Sequence, residues 1–135
     1  MLDYVSIAKV NSQILLAKAK IKKWQNDSEN LSDAKAKYTA RAEEITGAKN
    51  SMNMTAQHIT EENSDLDSAS SVGEAMSRII CGEAYKSAMK NIEESILEFD
   101  TNISELGAKI EAYNKRLVSL ESELERLYAA ESEND

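Results

Sequence analysis

One histidine and one cysteine are the residues of this 135-residue chain whose types could support chemistry. His58 is followed by Glu61 and Glu62 at the i+3 and i+4 spacings, which place side chains on one face of a helix. An imidazole and a carboxylate on that face could offer two ligands to a metal ion. A protein metal site needs three or four ligands, and the chain has no second histidine and no cysteine cluster. We therefore interpret His58 as a surface residue and expect no metal site.

Cys81 is a thiol between Ile80 and Gly82, with no histidine near it in the sequence. A nucleophilic cysteine needs a general base and a group that orients that base. We interpret Cys81 as a small packed residue, with a disulfide between two chains as the alternative. The sequence also lacks a glycine-rich phosphate loop, a Walker-type lysine and a Gly-x-Ser-x-Gly turn. It predicts a protein that is not an enzyme and that needs no cofactor.

The absence of proline indicates which elements position these residues. With no proline, four glycines and 5% aromatic residues, the chain lacks the residues that usually end short elements and fill a globular core. This composition, rich in alanine, glutamate, lysine, leucine and serine, predicts long helices. No apolar run approaches the ~20 residues of a membrane-spanning helix, so we expect no insertion into a membrane.

Charge is distributed unevenly along the chain, whose net charge is −8. Residues 1–50 contain nine basic and six acidic residues, whereas residues 51–135 contain seven and eighteen. These opposite balances favour packing of one half against the other. We interpret the lysines from Lys9 to Lys23 as a solvated face and expect no nucleic-acid partner. Because the first residues lack the basic and apolar regions of a signal peptide, we expect a cytoplasmic protein, or one exported within a complex without a cleavable signal.

Apolar residues recur with alternating spacings of three and four throughout the second half. This heptad pattern begins at Tyr85 and Met89 and predicts a helix with a coiled-coil-like seam over about six heptads. The predicted seam residues that follow are Ile92, Ile96, Phe99, Ile103, Leu106, Ile110, Tyr113, Leu117, Leu120, Leu124 and Leu127.

The first half repeats the pattern less regularly, which predicts an all-α fold in which two helices form a long antiparallel hairpin. We expect one domain over residues 1–135, with helix 1 at about 4–62, a turn at about 63–73 and helix 2 at about 74–130. Gly47 leaves the continuity of helix 1 open near residues 46–56. We expect Trp24 to fill a gap opposite a small residue of the seam.

Several apolar residues fall outside both predicted seams. A two-helix hairpin buries only one stripe of each helix, and small single-layer folds offset chain entropy poorly. We therefore expect this hairpin to pair with another helical chain, or with itself, in a bundle of four helices. The apolar residues outside the seam are Leu15, Leu16, Ile79, Ile80, Leu97 and Val118.

The segment Ile80-Cys81-Gly82-Glu83-Ala84-Tyr85, which follows the predicted turn, resembles the W-x-G-x-A motif and following aromatic residue of the WXG-type (Esx-like) helical hairpins of type VII secretion. Ile80 stands in the tryptophan position, and Gly82 and Ala84 match directly. The layout of the whole chain is similar to that of the YwqH-like proteins encoded beside LXG toxins.

This resemblance implies a bacterial protein that does no catalysis and acts as a targeting partner or chaperone. It would bind the helical N-terminal domain of an LXG-type toxin. The implied interface residues are Ile80, Gly82, Ala84, Tyr85 and Trp24. The alternative is a self-associating coiled coil with a structural or adaptor role.

Overall fold

A computed structural model describes residues 3–62, 67–80 and 82–134, with side chains described at 3–62, 71–79 and 82–130. These residues form three α-helices, α1 (Tyr4–Glu62), α2 (Asp67–Ile80) and α3 (Glu83–Asn134), and no strand. The prediction of an all-α helical hairpin is confirmed. The first helix has the bounds that the sequence predicts, and α1 continues without a break past Gly47.

The predicted bounds of the turn and of the second helix differ from those in the structure. The turn was expected to extend to residue 73, but α2 begins at Asp67, while residues 63–66 lie outside the described residues. Serine and aspartate favour helix starts as well as turns, which explains why this polar segment was assigned to the turn. The expected second helix is two helices, because the chain bends at Gly82 before α3 begins. Helix α3 extends to Asn134, four residues beyond the predicted end.

Asp3 caps the first turn of α1. Its carboxylate accepts hydrogen bonds from the Ser6 backbone N–H at 3.1 Å and from the Ser6 hydroxyl at 2.5 Å. These bonds satisfy an amide that has no partner inside the helix and, by favouring the charged carboxylate, lower the pKa of Asp3. The start of α1 is therefore fixed by a side chain that the sequence supplies locally.

Contacts divide the chain into two compact units, and unit 1 contains residues 1–32 and 101–135. Here the buried residues of α1 recur every three or four positions, which is the spacing of one helix face. Leu120 of α3 joins Val10 and Ile14 in a buried cluster, and Leu117, Leu124 and Leu127 pack against it. Early residues of α1 thus meet late residues of α3, which makes the helices of unit 1 antiparallel. The buried residues of α1 in this unit are Ile7, Val10, Ile14, Ala17 and Ile21.

Unit 2 contains residues 33–100 and therefore includes α2. Helix α2 packs on α1 at Gly73, which is buried, and a Cβ atom added there would overlap the Thr60 hydroxyl and lie 3.0 Å from the Ala56 carbonyl oxygen. Ala56 is 1% exposed, and the Thr60 hydroxyl donates a hydrogen bond to its carbonyl at 3.0 Å. Small residues on both helices therefore let the two backbones approach closely.

Gly47 and Gly107 give a prediction about stability. Both lie inside long helices, and a Cβ added at either would meet no atom within 4 Å. Alanine restricts the unfolded chain and favours the helix, so Gly47→Ala and Gly107→Ala should each raise the free energy of unfolding by about 0.5–1 kcal/mol. Urea denaturation followed by circular dichroism measures this change.

Gly82 is the control for these substitutions, because its added Cβ would lie 2.7 Å from the Arg78 carbonyl oxygen. Gly82→Ala should lower the free energy of unfolding, since a backbone atom must move to make room. Stabilisation by Gly82→Ala, or destabilisation by both helix-interior substitutions, would contradict this interpretation.

Candidate interaction surfaces

The predicted seam of the second half lies on the packed side of α3. Leu120 is buried, and the other predicted seam residues from Ile92 to Leu127 are half-buried. Most of them are covered only in part. The contacts within each unit therefore bury a single stripe of α3 and leave the two sides of that stripe exposed. The seam residues therefore pack within each unit, and most of them remain partly exposed.

Aromatic side chains strengthen the packing of unit 1. Trp24 meets Tyr113 edge to face, with ring centroids 4.7 Å apart, and the Lys109 ammonium lies 5.9 Å from the Trp24 ring centroid. The Lys20 ammonium donates a hydrogen bond to the Tyr113 hydroxyl at 3.2 Å. Trp24, which the sequence suggests as an interface residue, is half-buried against its own chain.

In unit 2, polar and aromatic contacts join α1 to α3, in the part of α1 where the apolar stripe is thin. The Lys35 ammonium lies 2.6 Å from the Asp100 carboxylate, and Tyr38 meets Phe99 edge to face at 5.1 Å between ring centroids. Both pairs join the first and third helices within the unit. Lys35, which lies two heptads after the buried Ile21 on α1, is thereby matched by the Asp100 carboxylate on α3.

The W-x-G-x-A-like segment spans the bend between α2 and α3. Ile80 ends α2, and the predictions about its side chain and about Cys81 lie outside the described residues. The Gly82 N–H donates to the Ile79 carbonyl, and the Gly82 carbonyl accepts from the Lys86 N–H. Ala84 is exposed, whereas Tyr85 is half-buried with the Lys49 ammonium 4.5 Å from its ring centroid. The motif thus includes a backbone bend and an exposed alanine.

Helix α2 has an exposed apolar stripe that ends at this bend. Val72, Ala75 and Ile79 follow the i, i+3, i+7 spacing of one helix face, and all three are exposed, Ile79 by 75%. We call these three residues the α2 stripe. Of these three residues, only Ile79 was predicted to be an apolar residue outside the seam, because Val72 fell in the predicted turn. The three-and-four spacing from Val72 to Ile79 is the signal that could have revealed the stripe.

Unit 1 exposes apolar side chains on the outer faces of both helices. Leu15 and Leu16 are 68% and 63% exposed on α1, and Val118 is 64% exposed on α3. Beside Val118, an open groove on α3 is lined in part by Gly107, Ile110 and the aliphatic carbons of neighbouring polar residues. Leu15, Leu16 and Val118 are positions that the heptad pattern places outside the seam, whereas Ile110 belongs to the seam.

The described residues offer no site for metal chemistry. Among them, no group of three or more His, Cys, Asp or Glu side chains is placed to hold a metal ion. The His58 Nε2 atom lies 3.0 Å from the Glu62 carboxylate, and both side chains are exposed. His58 therefore has a helix-surface environment, as the sequence predicts.

The chain belongs by its fold to the all-α helical hairpins. Within residues 3–62, 67–80 and 82–134, no helix combines the length and the apolar character needed to cross a membrane. No family model, curated protein or solved structure matches this chain.

Proposed function

We propose that this protein is a non-enzymatic helical partner protein that binds the helical N-terminal domain of an LXG-type type VII secretion toxin. In this role it acts as a targeting partner or chaperone for the toxin. The observation that carries the proposal is the α2 stripe, an exposed apolar helix face next to the segment that resembles W-x-G-x-A. The toxin assignment comes from that resemblance, and the binding surface comes from the geometry.

The α2 stripe has the properties of a helix-binding surface. Full burial of one exposed isoleucine or valine side chain contributes about 1.5–3 kcal/mol, so a few such residues can anchor a helical partner. Apolar anchors at i, i+3 and i+7 are also how amphipathic helices engage a groove. The exposed Ala84 lies just beyond the stripe, and its small side chain allows a partner backbone to approach. A partner helix would therefore contact the end of α2 and the start of α3.

Charge around the stripe restricts which partner can bind. Glu74 and Arg78 form an i, i+4 ion pair at 3.4 Å, and both side chains are exposed on α2. Such a pair adds little to stability but disfavours partners with unmatched charges at these positions. The apolar stripe thus provides affinity, and the neighbouring charges provide selectivity.

The experiment is co-purification of the full chain with the helical N-terminal domain of an LXG-type toxin from the same genome. Ile79→Asp should lower the affinity at least tenfold, because a charged carboxylate would have to be desolvated in the interface. Its helical circular dichroism should match that of the wild type, since the Ile79 side chain is exposed in the free protein.

Val118→Asp is the matched control, because it places the same charge at an exposed apolar position of unit 1. This variant should bind the toxin domain with wild-type affinity. Unchanged binding by Ile79→Asp, or equal losses by both variants, would rule out the α2 stripe as the binding surface. Failure of the wild type to bind the domain would overturn the proposed function.

A further inference from the structure

We propose that unit 1 carries a second interaction surface, the pairing face, through which the protein binds a second copy of itself. Its apolar centre is formed by Leu15 of α1 and Val118 of α3, both largely exposed. Basic residues flank the centre on α1, and acidic residues flank it on α3. The pairing face consists of Leu15, Lys18 and Lys22 with Glu111, Val118, Glu121 and Glu125.

Helical geometry places these residues on one side of unit 1. Leu15 follows the buried Ile14 by one position, and Val118 follows the seam residue Leu117 by one position. Each step along an α-helix turns about 100° in the same sense. Because α1 and α3 are antiparallel and face each other, the same rotation brings both side chains to the same side of the pair. Lys22 and Glu111 follow the buried Ile21 and the seam residue Ile110 in the same way and lie on this side too.

The residues of the pairing face also lie at matching levels along the two helices. The hydrogen bond from Lys20 to Tyr113 fixes the register between α1 and α3. Leu15 lies five positions before Lys20, and Val118 lies five positions after Tyr113, so the two apolar residues share one level. Lys22 lies two positions after Lys20 and Glu111 two positions before Tyr113, so this charged pair shares another level.

This arrangement fits a second copy related by a two-fold axis parallel to the helices of unit 1. Such an axis preserves the level of every residue and lays α1 of one protomer against α3 of the other. Leu15 of each copy then contacts the α3 groove at Val118 of the other copy. Lys22 of each copy likewise lies against Glu111 of the other copy. Both contacts occur twice, since a two-fold interface uses the same surface on both protomers. The complementary residues are therefore already present on one chain.

Charge complementarity selects the second copy as the occupant. The α1 side of the pairing face has two lysines, and no acidic residue lies between Asp3 and Asp27. The α3 side has three glutamates, Glu111, Glu121 and Glu125, and one lysine, Lys115, which lines the same groove and lies 3.6 Å from Glu111. Opposite charges facing each other at an interface favour pairing and fix its register. Since the apolar centre is small, the dimer is expected to be weak and sensitive to salt.

Sedimentation equilibrium of the full chain at low salt tests the pairing. The wild type should show a monomer–dimer equilibrium, and Leu15→Asp should weaken it at least tenfold. Leu16→Asp is the matched control, because Leu16 is also largely exposed but lies on the other side of α1 by helical spacing. A wild type that stays monomeric at several hundred micromolar, or an equal loss in both variants, would overturn the proposal.

A charge exchange tests the two-fold register directly. Lys22→Glu and Glu111→Lys should each weaken self-association, because each places like charges together at both symmetric contacts. Mixing the two variants should restore dimers, since the mixed pair has opposite charges at both contacts. Lys23→Glu makes the same change in net charge at the next position and should leave pairing unchanged. No recovery on mixing would exclude this register and with it the proposed dimer.

The pairing face does not depend on the proposed toxin partner. Leu15→Asp should retain binding to the toxin domain, and Ile79→Asp should retain self-association. Each proposal can therefore fail without the other.

Discussion

Replacement of Ile14 by aspartate is expected to unfold unit 1. Ile14 is 7% exposed and belongs to the buried cluster with Val10 and Leu120. The substitution removes apolar burial and places a carboxylate among aliphatic side chains, and no basic side chain is buried in the described part of the chain to pair with it. A loss of more than about 3 kcal/mol is expected, which is a large part of the stability of a small domain. Urea denaturation and circular dichroism measure this loss.

Leu15→Asp is the control for this prediction, because the same side chain enters the next position of the same helix. Leu15 is largely exposed, so its replacement should change the free energy of unfolding by less than about 0.5 kcal/mol. If Ile14→Asp retains wild-type stability, the apolar cluster does not hold unit 1 together. If both variants unfold, the stability of this segment depends on charge rather than on burial.

Replacement of Gly73 by valine is expected to displace α2 from α1 in unit 2. The new Cβ would overlap the Thr60 hydroxyl and lie 3.0 Å from the Ala56 carbonyl oxygen, a backbone atom. Because a backbone atom cannot rotate away as a side chain does, the helices must separate, at a cost of about 1–3 kcal/mol or more. Amide hydrogen exchange in α2 should become much faster, while exchange in unit 1 should remain unchanged.

Gly47→Val provides the matched comparison in the same unit. It introduces the same side chain at a helical glycine with no atom within 4 Å of the added Cβ. Valine has a higher helix propensity than glycine, so this variant should retain the exchange protection of α2. Slow amide hydrogen exchange in α2 of the Gly73→Val variant would show that the packing of α2 on α1 does not depend on the close approach of Gly73 to Thr60.

The periodic residues explain how much of the fold could be predicted. The heptads from Ile92 to Leu127 specify which face of α3 packs, since only one stripe is apolar over such a length. The start and end of α1 follow from local chemistry: Asp3 caps one end, and a polar segment follows the other. Local sequence rules were sufficient wherever one helix face was clearly apolar.

The start of α2 at Asp67 could not be predicted, because the packing of this helix depends on a residue without a side chain. Gly73 was interpreted as the end of a turn, yet it is the contact that brings α2 against Ala56 and Thr60. A glycine contributes no hydrophobic signal to a periodicity analysis, and serine and aspartate suit both turns and helix starts. Whether such a segment is helical depends on tertiary contacts that sequence spacing does not contain.

The candidate surfaces were predictable in part. The sequence placed Leu15, Val118 and Ile79 outside the seam, and all three are exposed. It could not show that Leu15 and Val118 lie at one level, because that requires the register between two distant helices. The hydrogen bond between Lys20 and Tyr113 supplies that register.

The contact between Trp24 and Tyr113 makes unit 1 spectroscopically distinct from unit 2. Trp24 is the only tryptophan in the chain, and its indole ring lies against Tyr113, with Lys109 nearby. Its fluorescence emission and its quenching by added iodide therefore report on the packing of unit 1 alone. Far-ultraviolet circular dichroism instead sums the helices of both units. Recorded together during denaturation, the two signals distinguish a protein that melts in one step from one whose units melt separately.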